Sequence, residues 1–85
     1  MPPAKIQLKG QFELDRRAPE ALSLQIARQL QAAIEEGRVT RGTRLPSTRA
    51  LARTLAVSRN TAVAAYEELA ARGFVRSRRG GGVSA

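Results

Sequence analysis

The sequence predicts a small α+β domain, mainly α, in which three helices are followed by a β-hairpin. Three observations predict it. Apolar residues recur at helical spacing in three separate stretches. Each stretch is closed by a glycine or a two-residue break. The final residues hold a short alternating run, three consecutive glycines and a second short run.

Eighty-five residues fit one domain at most. Residues 1–10 contain two prolines, two lysines and no periodicity, so they read as a flexible tail. The folded domain is expected over 11–85. Phe12-Glu13-Leu14-Asp15 alternates apolar and polar residues, which predicts a short strand. Residues 16–20 read as a loop, with Pro19 placed to open the next helix.

The first helix is expected over 21–36. Leu22, Ile26, Leu30, Ala33 and Ile34 form its apolar stripe, and Gln25, Arg28, Gln29 and Gln31 fill its other face. Gly37 follows where a left-handed cap belongs. Arg41-Gly42 reads as a turn, and Thr43-Arg44-Leu45 as a brief strand. Ser47 is placed to cap a second helix over 48–55, with Leu51, Ala52 and Leu55 facing inward. Ala56-Val57 is the break. Ser58 is a second capping residue, and a third helix is expected over 59–72, with Val63, Tyr66, Leu69 and Ala70 buried. Gly73 ends it. Residues 74–78 form a strand, 79–82 a flexible turn, and 83–85 the returning strand.

Composition excludes several kinds of chemistry. There is no cysteine, hence no disulfide or thiolate metal site. There is no histidine, which removes the commonest metal ligand and general base. The serines therefore have no histidine to activate them, and no paired carboxylates or metal cluster stand out, so an enzyme is the weakest reading. Three aromatics, Phe12, Tyr66 and Phe74, are too few to wall a substrate pocket. No apolar run approaches the length of a membrane span or a secretory signal, so no membrane partner and a cytoplasmic location are expected. Abundant alanine and arginine suggest a GC-rich bacterial genome.

The charge is more informative. Residues 1–37 carry five basic and five acidic groups. Residues 38–85 carry ten arginines against Glu67 and Glu68, so the whole net charge of +8 lies there. A one-sided arginine surface predicts a polyanion partner rather than a merely solvated face.

A short helix, a tight break and a longer helix make a helix-turn-helix, and a basic hairpin after it makes a wing. In that arrangement the second helix enters the major groove of double-stranded DNA, its N-terminal residues leading. Those residues are Ser58, Arg59, Asn60 and Thr61. Arg59 can fork onto guanine O6 and N7, and Asn60 can pair with an adenine edge. Alone, the four would describe an ordinary capped helix start. They gain weight from Ser47, Arg49 and Arg53 before them on a helix and Arg76, Arg78 and Arg79 after them in a hairpin. Arg49 is read as a DNA contact ahead of an ion pair with Glu67 or Glu68. Tyr66, on the apolar stripe, is read as a core residue.

Leu45-Pro46-Ser47-Thr48-Arg49, Leu51-Ala52, Leu55 and Val57-Ser58-Arg59-Asn60-Thr61 resemble the GntR family of transcription regulators. Ala65-Tyr66-Glu67-Glu68-Leu69, Gly73 and Ser77-Arg78 resemble its MocR-like subfamily, as do Gln25-Ile26, Ala33-Ile34 and Gly37 upstream. The resemblance implies a winged helix in the order α, β, α, α, β, β. It also implies DNA contacts at Arg49, Ser58, Arg59, Asn60 and Thr61 and at the wing-tip residues Arg79 and Gly80. It further implies a C-terminal aminotransferase-like domain that binds pyridoxal phosphate and is absent here, so this chain is expected to be a fragment of a longer, homodimeric regulator with no cofactor of its own. Two positions depart from the family pattern. Ala56 stands where glycine is usual, and Val83-Ser84 where a threonine and an aromatic are usual. The alternative function is a free-standing basic module that meets protein or RNA. The lack of surface aromatics for base stacking argues against single-stranded RNA.

Overall fold

The computed structural model describes residues 12–78 and 82–85. In chain order it contains α1 (Leu22–Glu35), β1 (Arg44–Leu45), α2 (Thr48–Leu55), α3 (Arg59–Ala71), β2 (Arg76–Arg78) and β3 (Gly82–Ser84). The expected tail at 1–10 lies outside the described residues. All three expected helices are present, with boundaries within one residue of the sequence reading.

The helix ends follow from local chemistry. Ser47 Oγ accepts from the Ala50 N–H at 3.1 Å, and Ser58 Oγ accepts from the Thr61 N–H at 3.0 Å. Each hydroxyl satisfies one of the free donors of a first turn. Gly37 and Gly73 turn the chain out of α1 and α3 at φ 79° and 81°. Alanine does the same after α2: Ala56 has φ 54° and ψ 47°. An L-residue there costs roughly 1–2 kcal/mol, which glycine would avoid.

α3 is the central element and packs against both α1 and α2. Ile26, Ala27, Leu30 and Ala33 of α1 share one core with Leu51 and Ala52 of α2 and with Ala62, Ala65, Tyr66 and Leu69 of α3. The buried stripe of α3 is thus rotated from the expected one. Val63 is only half-buried and Ala70 is exposed, while Ala62 and Ala65 face inward. Tyr66 and Leu69 are buried as expected, and Ala62 and Ala65 take the buried positions expected of Val63 and Ala70.

The expected strand at Phe12–Asp15 does not form. The alternation is real, since Phe12 and Leu14 are half-buried and Glu13 and Asp15 exposed. The hydrogen-bonding partner is not a strand, however. The Glu13 N–H donates to Gln29 Oε1 at 2.8 Å, and Gln29 Nε2 donates to the Glu13 carbonyl at 2.6 Å. The Asp15 N–H donates to Gln25 Oε1 at 2.8 Å, and Gln25 Nε2 donates to the Asp15 carbonyl at 2.8 Å. Two extended residues advance about 6.7 Å and four helical residues about 6 Å, so the spacings match. Two glutamine amides thereby stand in for a strand's peptide groups. Gln25 also donates to the Glu20 carbonyl at 2.8 Å. This explains how a residue assigned to the polar face is 1% exposed. Pro19 does not open α1 either, because Ala21 is the N-cap and Leu22 the first helical residue.

The hairpin belongs to a three-stranded antiparallel sheet in the order β1-β3-β2. Arg44-Leu45 of β1 pairs with Ser84-Val83, and Arg76, Ser77 and Arg78 of β2 pair with Ser84, Val83 and Gly82. Gly82, assigned to the turn, is therefore the first residue of β3, and the strand expected from Phe74 begins at Arg76. Leu45, Val75 and Val83 join the core.

Candidate nucleic-acid interface

The predicted site residues fall on three elements that the core holds together. Ser47 and Arg49 lie at the start of α2, and Ser58, Arg59, Asn60 and Thr61 at the start of α3. Arg78 lies at the end of β2. Arg79 and Gly80 are outside the described residues.

The two serines and Thr61 have structural work. Ser47 and Ser58 cap their helices, and Ser58 Oγ also bonds Thr61 Oγ1 at 2.9 Å. Arg49, Arg53, Arg59 and Asn60 are exposed. Among the described residues none of these four makes a side-chain hydrogen bond or ion pair. Neither ion pair considered for Arg49 forms among the described residues: Glu68 Oε2 lies 3.4 Å from Arg72 Nε on the same helix, and Glu67 is exposed. The first turns of α2 and α3 contain no acidic residue. Their positive helix ends are therefore uncompensated by carboxylates, the condition that favours a phosphate.

Two residues fix this surface from behind. The Tyr66 hydroxyl donates to the Pro46 carbonyl and ties the start of α2 to the second turn of α3. Burial pushes its phenol pKa upward, so it remains a neutral donor. Arg16 was missed in the sequence reading. Its Nη2 donates to the carbonyls of Leu55 at 3.0 Å and Ala56 at 2.9 Å. It thus satisfies carbonyls at the end of α2, in the turn that launches α3. Nothing in the local sequence announced it, because its partners lie 39 and 40 residues away.

Capped helix starts with unpaired arginines, joined by a left-handed turn and followed by a basic hairpin, define a winged helix-turn-helix DNA-binding domain of transcription regulators. The family model for gntR-family bacterial regulatory proteins matches residues 22–84, and the chain belongs to that family. It is 44% identical over 69 residues to a probable rhizopine catabolism regulatory protein, MocR, of Rhizobium meliloti, covering 81% of this chain and 14% of that protein. It is 35% identical over 71 residues to the pyridoxine biosynthesis transcriptional regulator PdxR of Corynebacterium glutamicum, covering 84% of this chain and 16% of that protein. The chain thus spans about one-seventh of the length of these curated relatives. Among solved structures, YtrA of Sulfolobus acidocaldarius, a GntR-family transcription factor, superposes with a TM-score of 0.84 at 29% identity, over 88% of this chain and 79% of that one. The AraR DNA-binding domain in complex with operator ORX1 shares the fold, with a TM-score of 0.72 at 22% identity over 88% of this chain and 96% of that one.

Proposed function

We propose that this domain reads a specific duplex sequence as the DNA-binding part of a longer cytoplasmic regulator. The observation that carries the reading is the exposed, unpaired pair Arg59-Asn60 at the capped start of α3. In this reading α3 lies in the major groove, with Arg59 on a guanine edge and Asn60 on an adenine edge. Ser58 and Thr61 fix the helix start and share in its contacts. Ser47 and Arg49 at the start of α2 hold the backbone. The wing residues Arg78, Arg79 and Gly80 meet the backbone or the minor groove. The domain performs no catalysis. Its lysines are confined to positions 5 and 9, so the described residues offer none to hold pyridoxal phosphate as a Schiff base. The cofactor implied by the MocR resemblance, and the homodimer, are assigned to a C-terminal domain outside this chain.

The test begins with selection of a tight-binding duplex from a randomised pool by the 85-residue chain. Titrations then compare that duplex with its single strand and the matching RNA at two salt concentrations. The selected duplex should bind most tightly, with affinity that falls steeply as salt rises. Equal affinity for all three would overturn the proposal and favour a general polyanion-binding module.

A further inference from the structure

We infer a second, sequence-independent phosphate contact on the outer face of the sheet, formed by Arg44 and Arg76 on either side of Ser84. The inference rests on the DNA-binding reading above and extends it to a surface outside the helix-turn-helix.

The register defines the surface. Ser84 of the central strand pairs with Arg44 on one side and Arg76 on the other. Directly opposed residues in an antiparallel sheet share a face, so the three stand in one row. The next row, Leu45 and Val83 with Ser77, has its two apolar members in the core. The arginine row therefore faces away from the helices. Both arginines are exposed, whereas Ser84 between them is 4% exposed. Two strand spacings place the arginine backbones about 10 Å apart. The face thus carries two exposed arginines flanking a buried serine.

Among the described residues neither arginine makes an ion pair or a side-chain hydrogen bond. Two cations set about 10 Å apart repel each other, so the sheet gains nothing from them in isolation. A phosphodiester relieves that repulsion and matches the planar donors of arginine. The duplex is favoured as the source because of position. Arg76 lies two residues, about 7 Å, from Arg78, where β2 ends and the chain turns into the wing. A hairpin carried to the groove edge brings this row towards the phosphates that border it. Such contacts position the protein and carry no base information.

The test uses the 85-residue chain and a mixed-sequence duplex probe, with affinity measured by fluorescence anisotropy across a range of KCl concentrations. Arg44→Gln with Arg76→Gln should reduce the slope of log affinity against log salt by about 2, since each phosphate contact contributes roughly 0.9. The ratio of affinity for a selected duplex over the mixed one should stay unchanged. Arg28→Gln with Arg38→Gln removes two arginines already engaged with Glu20 and Glu36. That pair should leave the slope near wild type and so control for net charge alone. Arg44→Lys with Arg76→Lys should keep most of the wild-type slope. The proposal is overturned if the Arg44/Arg76 glutamine variant, folded by circular dichroism, keeps the wild-type slope. That result would leave duplex binding by α3 intact and point to an acidic protein surface as the partner of the row. Failure of the wild type to prefer any duplex would instead overturn the DNA-reading proposal itself.

Discussion

Arginine is used in opposite ways on the two sides of this molecule. Around α1 and the far end of α3 most guanidiniums are engaged: Arg16 on two carbonyls, Arg28 on Glu20, Arg38 on Glu36 and Arg72 on Glu68 and Gln31. Arg17 is the exposed exception. Along β1, α2, the start of α3 and β2, the exposed Arg44, Arg49, Arg53, Arg59 and Arg76 have no ion-pair partner among the described residues. The same side chain therefore serves as an internal strut in one region and an open cation in the other. Acidic residues make the difference. Five of the seven precede residue 38, and Glu68, one of the remaining two, is taken by Arg72.

The comparison predicts that damage to the first region lowers stability, whereas damage to the second lowers binding. The largest effect is expected from Gln25→Leu. It removes hydrogen bonds to Asp15 and Glu20 and one rung of the amide ladder. Chemical denaturation should show a loss of roughly 2–3 kcal/mol. Duplex affinity, measured where the variant is still folded, should change little. An equal loss of affinity would break the division between the two regions.

Arg59→Ala is the converse. It should cost roughly 1–3 kcal/mol of binding to the selected duplex and relax preference at one base position. The melting temperature should change little, because Arg59 is exposed and makes no side-chain hydrogen bond or ion pair among the described residues. A stability loss without a binding loss would overturn its assignment as a reader.

Arg16→Ala sits on the boundary, since a residue of the first region caps the turn of the second. A stability loss of about 1 kcal/mol is expected for these exposed hydrogen bonds. Ala56→Gly should recover roughly 0.5–1 kcal/mol by relieving the left-handed alanine. Made together, they reveal by double-mutant cycle whether the guanidinium steadies that strained turn.

The smallest effect at working pH is expected from titration. No histidine is present, and the raised Tyr66 phenol is the titrating group buried in the core. A phenol pKa higher in the folded than in the unfolded state contributes stability that is complete below the unfolded value near 10. That contribution is lost as pH rises from there. Thermal melts should be nearly flat from about pH 6 to 9 and fall above about 10. Tyr66→Phe should remove the steep alkaline fall.

The helices were legible because their signals are local. Ser47, Ser58, Gly37 and Gly73 act on residues within a turn or two, and the periodicities of α1 and α2 hold over their lengths. The Phe12–Asp15 segment was misread because its alternation specifies an extended chain but not what completes its hydrogen bonds. Side-chain amides on α1 complete them, and no sequence period marks that. The stripe of α3 was rotated because alanine is a weak hydrophobic signal, so Val63 outweighed Ala62 and Ala65. The exposed, unpaired arginines of α2 and α3 were expected from the sequence because solvated charge is visible in composition. Arg16 was not, because its role exists only once distant elements meet.

The strand order also bears on how the domain is made. The central strand β3 is the last of the described elements in the chain, and β1 pairs only with it, across about forty residues. The three helices can gather while that strand is still within the ribosome. Leu45 and Val83, which meet across the β1–β3 seam, cannot. The residues of that seam are far apart in sequence, and pairings of that kind form more slowly than local ones. A nascent chain can therefore bring its three helices together before the β1–β3 seam closes.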